Sequence, residues 1–240
     1  MEMNKLEKYF FEEPKECVVM KWHHYLKIYE NHFKRFQGKN PTILEVGVSE
    51  GGSLEMWNHY FDGECFIYGI DKNKACKSVP KKLGANNMKI FIGSQEDRVF
   101  WSKFKKKTPK FDILIDDGGH RPEHQITTFE EMYERVKDNG VYLCEDLQTS
   151  YWQEFGGALN KENTFVEYSK RFVDDINAYH VREGRDLNFR KTTASIHYYD
   201  SILVLEKCLD HEVPEGTKRG PGLQYCYGDY GRPVEAKGIS

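Results

Sequence analysis

The chain has 240 residues, 39% of them hydrophobic and 30% charged, which suits one α/β domain with short additions. Its formal net charge of −3 excludes a general positive field, so we expect no nucleic-acid partner. No apolar run approaches the ~20 residues of a membrane span, and the N-terminus lacks the apolar segment of a signal peptide. Six scattered cysteines without a C-x-x-C pair are typical of reduced thiols and favour a cytoplasmic protein.

Residues 1–40 form the first predicted unit, a helical extension, because Tyr25, Leu26, Tyr29 and Phe33 share one apolar helix face. Apolar runs then alternate with helical segments. The predicted strands lie at 43–48, 65–71, 88–93, 111–116 and 141–146, and the predicted helices at 53–61, 73–83, 95–105 and 122–137. This alternation predicts a doubly wound, Rossmann-like α/β fold with a parallel sheet, whose ligands bind at the carboxyl edge of the strands.

The last third of the chain departs from this alternation. Residues 163–182 have a helical pattern, and 193–207 read as two strands joined at Asp200-Ser201, which predicts an antiparallel hairpin. Residues 209–240 form a tail rich in Gly, Pro and Tyr. An ordered lid, an oligomer arm and a partly disordered tail all remain open for this segment.

A glycine turn follows the first predicted strand, in 45-EVGVSEGGS-53. Its spacing is GxxxGG, not the GxGxxG of dinucleotide folds. Gly47 allows a sharp turn, and Gly51 with Gly52 lets a ligand approach the N-terminus of the next helix. Asp71 ends the second strand, where a carboxylate accepts hydrogen bonds from ribose hydroxyls. The pattern favours a nucleotide-type cofactor site over the alternative of a plain turn.

Two carboxylate pairs end neighbouring predicted strands, in 116-DDGGH-120 and 144-CEDLQTSYW-152. Because parallel strands lie ~5 Å apart, these pairs should face each other and repel unless a cation or a proton intervenes. Hard oxygen donors suit Mg²⁺, with Mn²⁺ as a second candidate. His120 would reach the same space as a base, and His124 could share that role. The alternative is that Asp117 only caps the helix near Pro122.

Together these motifs resemble class I S-adenosylmethionine (SAM)-dependent methyltransferases. The runs DDGGH and CEDLQTSYW are similar to those of metal-dependent sugar O-methyltransferases of the mycinamicin and macrocin type, over roughly residues 41–207. The resemblance implies a seven-stranded sheet with a C-terminal antiparallel hairpin and a SAM-binding domain at 41–208. It implies SAM and Mg²⁺ as cofactors.

The resemblance also implies site residues. For the cofactor these are Glu45, Gly47, Ser49, Gly51, Ser53, Asp71, Ser94, Gln95 and Asp116. The implied metal ligands are Asp117, Glu145 and Asp146. His120 would be the general base, with Asp117 as its catalytic partner. Tyr151, Trp152 and His124 are candidates for the substrate, and Phe155 extends this aromatic wall unless these rings only pack the loop.

The activity that follows is methyl transfer to a sugar hydroxyl in a capsular polysaccharide or a natural-product glycan. The expected partner is a small sugar or sugar nucleotide, and a homo-oligomer is left open. Alternatives are a catechol hydroxyl or a nitrogen or phosphoramidate acceptor, a NAD-dependent oxidoreductase, and a non-catalytic nucleotide-binding module. The absence of GxGxxG argues against the oxidoreductase. No two-His-one-carboxylate iron site is expected.

Overall fold

Seven strands form one mixed sheet in the computed structural model, which describes residues 3–181 and 187–209. The strands are β1 Thr42–Val46, β2 Phe66–Asp71, β3 Met88–Ile92, β4 Phe111–Asp116, β5 Val136–Cys144, β6 Thr193–Tyr199 and β7 Ile202–Lys207. Their order is β3-β2-β1-β4-β5-β7-β6. The first five are parallel, and β7 joins β5 and β6 in antiparallel pairing. The predicted fold class and hairpin are confirmed. Of the predicted tail at 209–240, only Leu209 belongs to the described residues.

Eight helices accompany the sheet within the described ranges. They are α1 Lys5–Glu12, α2 His23–Phe33, α3 Gly52–Tyr60, α4 Val79–Lys82, α5 Arg98–Lys105, α6 Pro122–Met132, α7 Phe165–Ile176 and α8 Asn188–Thr192. Helix α6 begins with Pro122 at its first position, where a missing N–H costs nothing. Among these described helices, none is both long and apolar enough to cross a bilayer.

The core lies on both faces of the sheet, as expected for parallel strands covered on each side. One hydrophobic cluster joins α1, α2 and α3 to the sheet, and Tyr29 and Phe33 of α2 pack edge-on against Trp57 of α3. The other lies beneath α5, α6 and α7 and includes Trp101 and Phe172. The N-terminal helices therefore share a core with the sheet.

Residues 13–22 are not helical, although the pattern predicts helix throughout residues 1–40. Helix α1 ends at Glu12, and Glu13 is extended. Pro14 explains the break, because proline disfavours a helical conformation in the residue before it. The chain then crosses the carboxyl edge of the sheet as an irregular segment, and residues 17–22 of it are called the strap below.

Strand β5 also differs from its prediction. It begins at Val136 and runs through Asn139-Gly140, whereas the predicted strand begins only at residue 141, after this typical turn dipeptide. The register against β4 shifts between Phe111 and Ile113, and Asn139 has a φ of 60°. The extra residues form an irregularity within the strand, so turn-forming residues here mark a bulge.

Candidate active site

Three loops meet at the carboxyl edge of the sheet, after β1, β4 and β5. A cavity of about 590 Å³ opens between them and the strap, a size that is typical of small-molecule sites. A smaller cavity of about 120 Å³ lies beside the ends of β2 and β3. Gly47, Asp71 and Gly118 line both cavities, so the two form adjoining parts of one region.

The glycine loop after β1 is held tightly against the β4 loop. Gly47 has a φ of +95°, and a Cβ atom built there would lie 2.0 Å from the carbonyl oxygen of Asp117. Asp71 organises the same loop, because its Oδ2 accepts hydrogen bonds from the backbone N–H groups of Val48 and Ser49, each at 3.0 Å. Asp71 Oδ1 accepts a third hydrogen bond from the backbone N–H of Asn73 at 2.7 Å, so about one of its four acceptor positions remains for a ligand hydroxyl.

The predicted cofactor residues fall into two groups. Those that line one or both cavities are Gly47, Ser49, Ser53, Asp71, Ser94 and Gln95. The others, Glu45, Gly51 and Asp116, line neither cavity and make structural contacts instead.

Each of these three contacts has a physical explanation. Glu45 is fully buried and accepts a hydrogen bond from Trp57 Nε1 at 3.0 Å, and burial raises its pKa to about 7. Gly51 precedes α3 in the left-handed conformation, against Val79. Asp116 accepts a hydrogen bond from Gln95 Nε2 at 3.0 Å, and burial raises its pKa to about 7. These contacts shape the loops, and the assignment of the three residues to the cofactor stays a prediction.

Asp117, His120 and Asp146 converge in the larger cavity. One ligand-type atom from each lies within 4.8 Å of the other two. His120 Nε2 is 3.8 Å from Asp117 Oδ1 and 3.6 Å from Asp146 Oδ2. His120 and Asp146 have φ values of 53° and 55°, a strained conformation for residues other than glycine. The sequence places these residues at neighbouring strand ends, but this strain is visible only in the structure.

Lys21 of the strap contacts the same carboxylates. Its Nζ donates hydrogen bonds to Asp117 Oδ2 at 2.5 Å and to Glu145 Oε2 at 2.7 Å. The side chains of Lys21 and Glu145 are only 3% and 1% exposed. Burial opposes the charge on Lys21, but Asp117 and Glu145 outweigh it and hold its pKa well above the ordinary value. For Glu145, burial and then the charge of Asp117 raise the pKa.

Sequence reasoning missed both Lys21 and Tyr25, whose hydroxyl donates a hydrogen bond to Asp146 Oδ1 at 2.9 Å. Tyr25 was predicted only as part of an apolar helix face. Lys21 is one of many charged residues near the N-terminus, and no spacing distinguishes it. Both lie more than 90 residues from the carboxylates that they contact, so local patterns contain no signal for them.

The residues at this edge fit a divalent cation. Asp117, Glu145 and Asp146 offer hard oxygen donors, and Asp117 and Glu145 share one ammonium group. Glu145 Oε1 is buried and accepts no hydrogen bond of ordinary length from the described residues. The Tyr29 hydroxyl interacts with Glu145, but a buried carboxylate oxygen without a hydrogen bond of ordinary length is costly, and a cation would satisfy it.

The predicted substrate residues separate in space. Tyr151 and Trp152 are 48% and 42% exposed, on the 3₁₀ turns after β5. Phe155 links them to the site, with its ring centroid 6.1 Å from that of Trp152 and 6.3 Å from that of His120. His124 instead lines the smaller cavity, with Nε2 3.6 Å from Glu96 Oε2. His124 therefore lies apart from Tyr151 and Trp152, and its role toward the substrate stays a prediction.

A second polar cluster connects α2 to the C-terminal hairpin and brings His32, His197 and Glu206 together. The sequence pattern did not indicate this two-His-one-carboxylate group. His32 Nδ1 lies 2.5 Å from Glu206 Oε1, and His32 Nε2 lies 2.9 Å from the hydroxyl of Tyr199. Arg35 also pairs with Glu206. These contacts satisfy the group internally, so it works as a clamp between elements.

The fold is that of the class I SAM-dependent methyltransferases. No family model matches the chain. The rhamnosyl tetracenomycin-C 2'-O-methyltransferase of Streptomyces olivaceus is 33% identical over 78% of this chain and 51% of its own length. Demethylmacrocin O-methyltransferase of Streptomyces fradiae is 30% identical over 81% of this chain and 52% of its own length.

A solved structure agrees with these relatives. MycE methyltransferase of the mycinamycin pathway, in complex with Mg, SAH and mycinamycin VI, is 26% identical, with a TM-score of 0.74. That match covers 89% of this chain and 57% of MycE. The chain therefore has the class I methyltransferase fold and is homologous to sugar O-methyltransferases, as the motifs indicated. It spans about half the length of the curated relatives it matches.

Proposed function

We propose that the chain is a SAM- and Mg²⁺-dependent O-methyltransferase that methylates a hydroxyl group of a sugar. One observation carries this proposal: Asp117, His120 and Asp146 converge on the cavity that Gly47 and Asp71 also line. A cofactor at the glycine loop and an acceptor at the carboxylates would therefore meet in one space. The relatives named for sugar O-methylation, and MycE with Mg and SAH, support the same reading.

The metal would be held by Asp117, Glu145 and Asp146. A bound Mg²⁺ lowers the pKa of a coordinated hydroxyl and fixes its orientation, which suits a weak nucleophile such as a sugar hydroxyl. The glycine loop would hold the methionine part of SAM, and Asp71 its ribose. Ser94 and Gln95, which line the smaller cavity, would lie near the adenine.

His120 would accept the proton from the sugar hydroxyl. Histidine is the side chain suited to proton transfer near neutral pH. The turn that carries His120 is fixed by Thr149, whose hydroxyl donates a hydrogen bond to the carbonyl oxygen of His120 at 2.9 Å. Its Nδ1 is buried without a hydrogen-bond partner in the described part of the chain, so Nε2 is the nitrogen that faces the carboxylates.

The acceptor we favour is a sugar with two adjacent hydroxyls, because a vicinal diol can chelate one metal ion. Trp152 and Phe155 support this choice, since sugar C–H faces stack on aromatic rings. The candidates are a capsular or other polysaccharide sugar and a natural-product glycan, in free, nucleotide-linked or polymeric form. The relatives' own substrates are not carried over, because the chain covers only half of each relative.

Isothermal titration calorimetry with SAM and with NAD⁺, each with and without Mg²⁺, tests the reaction class first. We expect SAM to bind and NAD⁺ not to bind. Binding of NAD⁺ alone would overturn the proposal. Transfer of labelled methyl groups to nucleotide sugars, glycans and catechols then identifies the acceptor, and turnover of catechols in preference to every sugar would contradict a sugar substrate.

A further inference from the structure

Lys21 connects the middle of the strap to the carboxylates of the site, while Val19 packs against the core. Val18, Met20 and Trp22 of the strap are 74%, 82% and 54% exposed. Within residues 18–22, all of which the structure describes, Lys21 alone makes side-chain hydrogen bonds. The contacts of Lys21 with Asp117 and Glu145 therefore decide how closely the strap approaches the carboxylates.

The ends of the strap are anchored independently of Lys21. The backbone N–H of Cys17 donates a hydrogen bond to Glu55 Oε2 at 3.0 Å. The carbonyl oxygen of Val18 lies so close to Gly52 that a Cβ atom there would approach it to 2.1 Å. After the strap, helix α2 is packed into the core. Loss of the Lys21 contacts would therefore release the middle of the strap while both ends stay in place.

The ammonium group contacts two of the three carboxylates that would hold the proposed metal. Lys21 Nζ bridges Asp117 Oδ2 and Glu145 Oε2, at 2.5 and 2.7 Å. Mg²⁺ takes carboxylate oxygens at about 2.1 Å, so an ion that used these same two oxygens would take the place of Nζ. Lys21 and such an ion would therefore compete for Asp117 and Glu145.

We propose that Lys21 is a tethered cation that competes with a divalent cation for Asp117 and Glu145, and that binding of the divalent cation displaces Lys21 and moves the strap outward. This inference rests on the proposed metal dependence. While Lys21 contacts Asp117 and Glu145, it offsets the repulsion between them and keeps the two carboxylates together. Displacement of Lys21 would move the strap and widen the cavity between Trp22 and His120.

The first test measures binding of Mg²⁺ and Mn²⁺ by calorimetry to the full chain. Lys21→Met keeps the apolar stem but removes the competing charge, so we expect the Kd for Mg²⁺ to fall about tenfold, because displacement no longer reduces the affinity. Lys21→Arg keeps the charge and should not bind Mg²⁺ more tightly than the wild type. The matched control is Lys27→Met, an exposed lysine of α2, for which we expect the Kd to change less than about twofold.

The second test needs no change at Lys21 and holds even if Lys21→Met fails to fold. Trp22 is the neighbour of Lys21, and its environment should change when the strap moves. We expect Mg²⁺ to change the tryptophan fluorescence of the wild type, and Trp22→Phe to lose most of that change. Trp57 and Trp101 are fully buried, and the measurement is made in a Trp152→Phe background because Trp152 is 42% exposed.

The outcomes separate the two proposals. Equal Mg²⁺ affinity in the wild type and Lys21→Met, with no response from Trp22, would overturn the role of Lys21 and leave the metal dependence standing. Absence of Mg²⁺ and Mn²⁺ binding in the wild type and in all variants would overturn the metal dependence, and the displacement with it. Tighter binding in Lys21→Met together with a Trp22 response supports the displacement.

Discussion

At the scale of single residues, the site consists of side chains that contact partners distant in the sequence, so their roles become visible only in the structure. Asp117 illustrates this, because the sequence reading left open whether it caps α6 or faces the other carboxylates. In the structure Asp117 turns toward His120 and Lys21, and α6 begins with no side-chain cap. A strand-end carboxylate can be recognised from sequence, but its partner from the distant strap cannot.

Replacement of His120 by alanine tests its role as a base. We expect Kd for SAM to stay unchanged and kcat to fall by about 10²-fold or more, because general-base catalysis contributes about that much. Steady-state methyl transfer and calorimetry measure the two quantities. His124→Ala is the matched control one helical turn away, and we expect kcat to be largely retained there. Retention of full turnover in His120→Ala would remove the residue from the mechanism.

Glu45 makes the stability depend on pH through its buried carboxyl. Burial raises its pKa from 4.5 to about 7, so the folded state binds the extra proton between these values. The stabilisation that comes from this raised pKa is therefore fully present below pH 4.5 and is lost as the pH rises through 7.

We expect Glu45→Gln, which retains an acceptor for Trp57 Nε1, to be more stable than the wild type at pH 8 by about 1–3 kcal/mol. The difference should vanish near pH 4.5, the ordinary pKa. Urea unfolding at both pH values measures this, with the exposed Glu64→Gln as control. A constant difference across the range would show that Glu45 titrates normally.

At the scale of elements, strands were predicted better than the segments between them. Each apolar run became a strand of the sheet because a parallel strand is buried on both faces, and burial leaves a continuous hydrophobic signature. The failures have local causes: Pro14 ends helix α1, and Asn139-Gly140 forms a bulge in place of a turn. Asn-Gly occurs both in turns and in bulges, and the pairing of β5 with β4 decides which of the two forms.

The clamp between α2 and the hairpin gives a prediction at this scale. Burial of the Glu206 carboxylate would raise its pKa. The hydrogen bonds from His32 and Arg35 outweigh burial and hold the pKa of Glu206 below its ordinary value. The stabilisation is therefore present above pH 4.5 and is lost as the pH falls through the lowered pKa.

We expect Glu206→Gln to reduce the free energy of unfolding at pH 7 by about 1–2 kcal/mol, since hydrogen bonds to charged groups are worth that much. The loss should shrink below pH 4, as urea denaturation can measure. Glu162→Gln, at an exposed position, is the control. A loss that persists unchanged at low pH would assign the effect to packing.

At the scale of the whole molecule, the site joins parts of the chain that the sequence reading treated as separate. The carboxylates and the glycine loop could be predicted because they belong to the strand–loop pattern of the sheet. The strap and α2 could not, because contacts such as Lys21–Glu145 span 124 residues and leave no periodic trace. The predicted boundary at residue 40 therefore crosses both the core and the site.

Deletion of residues 1–40 tests whether that boundary separates two units. Tyr25, Leu26, Tyr29 and Phe33 are at most 1% exposed, so their removal would uncover Trp57 and the face of the sheet. We expect the shortened chain to lose cooperative unfolding and Mg²⁺ binding together, because exposed core surface favours loosely packed states. Urea unfolding followed by circular dichroism, and calorimetry with Mg²⁺, measure the two effects.

Deletion of residues 1–3, before the cap of α1, should change neither. A chain from residue 41 onward that unfolds cooperatively at the wild-type midpoint would instead show that the N-terminal helices are a separate extension, and the shared core would then contribute little to stability.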